Sequence, residues 1–328
     1  HLREWTTDKL ARGESSEELL LHLSRKPKDI QRWAANSILK TFAFRESPSD
    51  ADLRSRWLLW FFEHVDDSQG FSPYIKLLKE AVHDKSWEEV LLLLDETLNP
   101  MGAVKPVPFP PETIQSTVSI KLPVDTGPLI QVWEQSITPN LDSVACQLAT
   151  VLERHLLKVR EIAQTTSVSR KPHMDKYSGY RGDVAEKNSN DFPSSVHLLV
   201  DMTVEVLEWH VENEEDVALD LIDRWSVSNS PLLQRTAIYG VEIMDSMTED
   251  EKLNWILDRE WVLEPGLKQE SGRMVVKAFS SASNSYKKRI LDSIDDRLTS
   301  QDQSWEIAST GRLLKALSEA APEYEPVQ

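Results

Sequence analysis

The sequence predicts an all-α protein, and three observations carry that prediction. Helix-start signals recur along the chain, apolar residues behind them return every three or four positions, and glycine is scarce at 10 of 328 residues. Ser15-Ser-Glu-Glu18, Ser86-Trp-Glu-Glu89 and Thr248-Glu-Asp-Glu251 each match a capping box, a hydroxyl three residues before a carboxylate. Ser72-Pro73, Thr138-Pro139 and Ser230-Pro231 set proline at a first helical position, where its missing N–H costs nothing.

Taken in order, these signals place helices at 15–24, 28–43, 50–66, 73–83 and 87–98, an N-terminal helical subdomain over 1–100. A Pro-rich connector, 101–126, follows. Residues 100–112 hold five prolines and read as extended chain, and Val118, Ile120 and Leu122 alternate with Ser119 and Lys121 as the one plausible strand. A C-terminal helical array over 127–328 begins with helices at 127–137 and 139–164. Residues 165–194 then lack helical periodicity for about 30 positions, too long for a turn, and read as an insertion loop. The rest is helical at 195–212, 215–226, 231–245, 249–258, 269–282, 284–298 and 303–320.

The stripes behind those assignments are specific. Leu199, Met202, Val206 and Trp209 share one face, as do Val217, Leu221 and Trp225; Leu233, Ala237, Val241 and Met244; and Tyr286, Ile290, Ile294 and Leu298. Pairs of 10–18-residue helices with buried inner faces suit an irregular HEAT-like array (α-solenoid), and no strict sequence period supports a regular tetratricopeptide or ankyrin array. The eleven tryptophans follow the same logic, with Trp57, Trp60, Trp209, Trp225 and Trp255 on stripes and Trp33, Trp87, Trp261 and Trp305 near helix ends. The few glycines are read as turns between helices.

Composition narrows function. Lys and Arg number 37 against 54 Asp and Glu, a net charge of −17, which argues against general binding to nucleic acid or anionic membrane. No apolar run approaches the ~20 residues a membrane helix needs. The chain opens at His1 with no secretory signal, so it reads as cytoplasmic and as a segment of a longer protein. The lone Cys146 excludes an internal disulfide and a Cys-rich zinc site, and its apolar surroundings predict a buried thiol.

Chemistry-bearing patterns are sparse. Gly-rich phosphate loops, H-E-x-x-H and G-x-S-x-G are all absent, so no catalytic, cofactor-binding or metal residue is assigned and no cofactor is expected. His197 with Asp201, and His210 with Glu214, stand four apart and offer at most two ligands each; an ion pair accounts for them equally well. His155 reads as a helix-surface or boundary residue. Two charged tracts remain as candidate partner contacts. Glu205, Glu208, Glu212, Glu214, Glu215, Asp216, Asp220 and Asp223 occur with no Lys or Arg among them, a solvated face or a docking surface for a basic partner. In the insertion loop, Arg170, Lys171, Lys176, Arg181 and Lys187 accompany Tyr177 and Tyr180, a pattern for phosphate and base contact that Asp175, Asp183, Glu186 and Asp191 dilute, or for docking onto the protein's own acidic helices; Arg170, His173, Asp175, Tyr177, Tyr180 and Arg181 are its candidate contacts.

The segment Asp223-Arg-Trp-Ser-Val-Ser-Asn-Ser-Pro-Leu-Leu-Gln-Arg-Thr-Ala-Ile-Tyr-Gly240 carries a resemblance, together with Thr248-Glu-Asp-Glu-Lys-Leu-Asn-Trp-Ile-Leu-Asp-Arg-Glu-Trp-Val-Leu263 and Lys268-Gln-Glu270. Over roughly 190–295 the chain resembles the helical region C-terminal to the NAD-consuming domain of bacterial defence-associated sirtuins, with Pro172-His173-Met174-Asp175 as a loose Pro-His-acid match before it. The resemblance implies a bacterial antiphage protein whose helical array senses a phage component and restrains or releases an effector. The NAD-hydrolysing residues of that family lie in a sirtuin-like domain with no counterpart in these residues. The leading expectation is therefore a non-catalytic sensor or scaffold with a protein partner, either a phage component or an effector domain of the same parent. The alternatives are an all-α enzyme built from scattered histidines and carboxylates, and a nucleic-acid scaffold acting through the basic loop.

Overall fold

The computed structural model describes residues 73–105, 117–166, 182–186, 194–300 and 304–324. The helices expected at 15–24, 28–43 and 50–66 lie outside them. The described chain is mostly helical, with one two-stranded antiparallel sheet. It divides into two compact units, one of residues 1–151 with 191–195 and one of 152–190 with 196–328.

In the first unit, α1 (Pro73–His83) packs against α2 (Trp87–Thr97), and Lys85 turns the chain between them at φ 56°. Ser86 precedes α2, but its side chain makes no capping hydrogen bond, so that box stays open. Strand β1 (Met101–Lys105) pairs with β2 (Thr117–Lys121), Ala103 facing Ser119. Only the second of these is expected from its residues; the first lacks alternation and takes its strand character from its partner's ladder. Asp125 caps α3 (Thr126–Val132) by accepting from the Gly127 N–H at 3.4 Å. A π turn (Trp133–Ile137) and a 3₁₀ turn (Thr138–Asn140) then lead into α4 (Leu141–Thr166). Pro139, lacking an amide hydrogen, interrupts the α-helical ladder there. The unit boundary falls within α4.

Among the described residues the second unit holds the rest of α4 and seven further helices: α5 (Ser195–Asn213, from Val196 onward), α6 (Glu215–Ser226), α7 (Pro231–Ile243), α8 (Glu249–Asp258), α9 (Lys268–Ser281), α10 (Asn284–Ser300) and α11 (Ser304–Ala320). Helix α7 packs on α6, α8 and α9, and α9 in turn on α8 and α11. That position explains why α7 buries residues all around, Leu232, Arg235 and Thr236 as well as the expected Leu233, Ala237 and Val241. Close approach at α7 depends on Gly240, where a Cβ would sit 2.8 Å from Ile222 Cδ1 and 3.0 Å from Leu207 Cδ2. Gly240, Gly272 and Gly311 all lie inside helices, so the expectation that glycines mark turns fails at these positions. Helix α8 opens with a closed capping box: Thr248 Oγ1 accepts from Glu251 N at 3.3 Å, and Glu251 Oε2 accepts from Thr248 N at 2.8 Å.

Two further expectations are corrected. Cys146 is exposed, because it falls on the outer face of α4 between the buried Ala145 and Leu148. His155 is buried, on the same side of α4 as Leu152, Leu156 and Val159.

Candidate functional site

The acidic tract occupies the end of α5, the turn after it and the outer face of α6. Its members differ in environment. Glu208 is half-buried and its Oε1 accepts from the Tyr239 hydroxyl at 2.5 Å; burial and this carboxylate hold the Tyr239 phenol well above its ordinary pKa, so it remains a donor. Glu214 Oε2 lies 3.0 Å from Nδ1 of the fully buried His210, in a geometry that makes no hydrogen bond. Asp223 pairs with Arg259 at 3.4 Å. Glu212, Glu215, Asp216 and Asp220 are exposed and form no ion pair among the described residues. Glu215 and Asp216 sit in the first turn of α6, where they complement the helix dipole. Among these carboxylates Leu219 is exposed, and Val227, just past the helix end, is 82% exposed.

The predicted loop residues Arg170, His173, Asp175, Tyr177, Tyr180 and Arg181 lie outside the described residues. The loop's described stretch, 182–186, is held against α7 and α9 by groups that sequence reasoning did not single out. Arg235 and Glu270 form a buried two-point pair, Nε to Oε2 at 2.7 Å and Nη2 to Oε1 at 2.6 Å. Arg235 Nη2 also donates to the Gly182 carbonyl, and Glu270 Oε1 accepts from Val184 N at 3.1 Å. Asp183 pairs with Arg273, whose Nε donates to Glu242 Oε2 at 2.7 Å. Burial raises the Glu242 carboxyl above its usual pKa, an effect opposed by Lys277 and Lys252. The described stretch thus docks through its own acid on a basic side chain, while the basic residues expected to dock on the acidic helices lie outside the described residues. No local sequence signal marks Arg235 as buried, since it lies off the Leu233, Ala237 and Val241 stripe of a helix that also carries Gln234, Thr236 and Glu242; its partner 35 positions on is set by tertiary packing.

His197 and His210 are on one helix, 13 residues or about 20 Å apart, so they do not share a site. Among the described residues no group of three His, Cys, Asp or Glu side chains could hold a metal ion, and no helix is long and apolar enough to cross a membrane. An open groove of about 730 Å³ beside the turn after α8 and α10 is lined by Arg259, Arg289 and Arg297, each already bonded within the fold: Arg259 to Ser226, Arg289 to Asn254 and Arg297 to Glu264. No family, curated protein or solved structure matches the chain.

Proposed function

We propose that this chain is the non-catalytic sensor or scaffold region of a bacterial antiphage defence protein, an irregular HEAT-like array that docks a basic protein partner on the face of α5 and α6. The observation carrying the docking surface is the local imbalance of charge. Glu212, Glu215, Asp216 and Asp220 are exposed and form no ion pair among the described residues, and the exposed Leu219 lies between Asp216 and Asp220 on the same helix. Elsewhere in the same unit carboxylates are neutralised in place, as at Glu153 with Arg224 (2.8 Å), Glu264 with Arg297 (2.9 Å) and Glu270 with Arg235 (2.6 Å). An apolar centre rimmed by one sign of charge steers and orients a complementary partner. Packing of α6 on α7, α8 on α9 and α10 on α11 supports the array reading, since neighbouring helix pairs carry such folds. The defence role and the effector released on docking, an NAD-consuming sirtuin-like domain outside this chain, follow from the sequence resemblance.

The test is a phage plaque assay in a bacterial host expressing the full-length parent protein. Plaque counts should fall relative to an empty vector, and reversing Glu212, Glu215, Asp216 and Asp220 to lysine should restore them while the helical circular dichroism stays unchanged. Equal plaquing with and without the wild-type protein rejects the defence role. Protection that survives the reversal rejects this face as the docking surface.

A further inference from the structure

The contacts around 182–184 are those of a ligand in a receptor, made within one chain. The pair formed by Arg235 and Glu270 is almost wholly removed from water. Such a pair adds little to stability over an apolar pair of the same size, because desolvating both charges offsets their attraction. An apolar pair, however, has nothing to offer a peptide backbone. Here the guanidinium donates to the carbonyl of Gly182 while the carboxylate accepts from the N–H of Val184, so one ion pair grips the main chain on both sides of Asp183. The side chains are read separately. The Asp183 carboxylate goes to Arg273, an arginine held by Glu242, and the Val184 side chain is buried. Asp183 Oδ1 also accepts from Ala185 N at 2.9 Å, which fixes the bend that follows. Gly182 contributes only its backbone, since a Cβ there would meet nothing within 4 Å.

We propose that the surface between α7 and α9 is a peptide-recognition groove for a segment carrying Asp followed by a small β-branched residue, and that residues 182–186 are its resident occupant. The occupant it would take in exchange is a segment of another protein with that same chemistry and the same bend after its Asp. Exchange of one for the other would free the resident stretch of the insertion. The groove is separate from the acidic face of α5 and α6, and either can fail without the other.

A labelled peptide with the sequence of residues 179–187, Gly-Tyr-Arg-Gly-Asp-Val-Ala-Glu-Lys, tests this by fluorescence anisotropy on the full chain. A chain carrying Asp183→Ala and Val184→Ser has a weakened occupant and should bind the peptide at least about tenfold more tightly than wild type. Replacing the peptide's Asp by Asn should cost about tenfold on that chain, and adding Arg273→Ala should erase the difference between the two peptides. Absence of binding to a weakened chain of native circular dichroism, or equal affinity for the Asp and Asn peptides, overturns the proposal. Hydrogen exchange on the wild-type chain gives a second reading that needs no variant. Excess peptide should speed deuterium uptake across 182–186, and uptake unchanged by peptide overturns the exchange.

Discussion

Arg235 shows what a single buried charge does here. It lies in α7 off the predicted stripe of Leu233, Ala237 and Val241, where periodicity calls for an exposed side chain, yet it is buried, and it is tolerated there because Glu270 meets it at two points. Arg235→Met leaves that carboxylate buried without its cation and should lower unfolding stability by about 3–5 kcal/mol. Arg235→Met combined with Glu270→Leu should recover part of the loss in urea denaturation, the rest reflecting the bonds to the Gly182 carbonyl and the Val184 N–H that the double variant forfeits; a double variant no more stable than the single one would show that the uncompensated carboxylate is not what the loss measures. At Thr248 the effect is local. The Thr248 hydroxyl donates to Glu251 at 2.7 Å, and with the backbone N–H it holds the Glu251 carboxyl below its ordinary pKa. A lowered folded-state pKa contributes stability above the unfolded value and loses it as pH falls through the folded one. Thr248→Ala should cost about 1 kcal/mol near neutrality, and Glu251→Gln should flatten the acid limb of a melting-temperature profile.

Helix periods were legible in sequence and helix surroundings were not. Caps and stripes place α1, α2, α6 and α8 at or within one residue of their observed ends, because each boundary is set by residues within a turn of it. Strand β1 escaped because nothing local distinguishes Met101–Lys105 from extended proline-rich chain; its ladder to β2 does. The predicted stripe on α7 covers only part of its buried surface, since α6, α8 and α9 reach it from several directions. Gly240 belongs to the same account. Alanine there improves helix propensity by about 1 kcal/mol yet drives a methyl into Ile222 and Leu207, and overpacking costs about 1–3 kcal/mol. The expected outcome for Gly240→Ala is a net loss of about 1 kcal/mol in the urea midpoint multiplied by its slope; an unchanged or raised value would mean that the α6–α7 contact absorbs the methyl.

For the whole chain, net charge argued against general binding to nucleic acid or anionic membrane without showing where the acidity sits. The acidic tract could be located in sequence, as eight carboxylates with no cation between them, but which of its members meet partners inside the fold could not. Glu208, Glu214 and Asp223 find Tyr239, His210 and Arg259 across distances of 4 to 36 residues. The predicted basic loop shows the same limit, since its described stretch attaches through Asp183 and two backbone groups. Local sequence determined that the chain is helical and where its helices begin, because caps and 3.6-residue periodicity act over one or two turns. Only tertiary structure decided which charges are paired inside the fold and which stay exposed, because an ion pair depends on which side chains packing brings together.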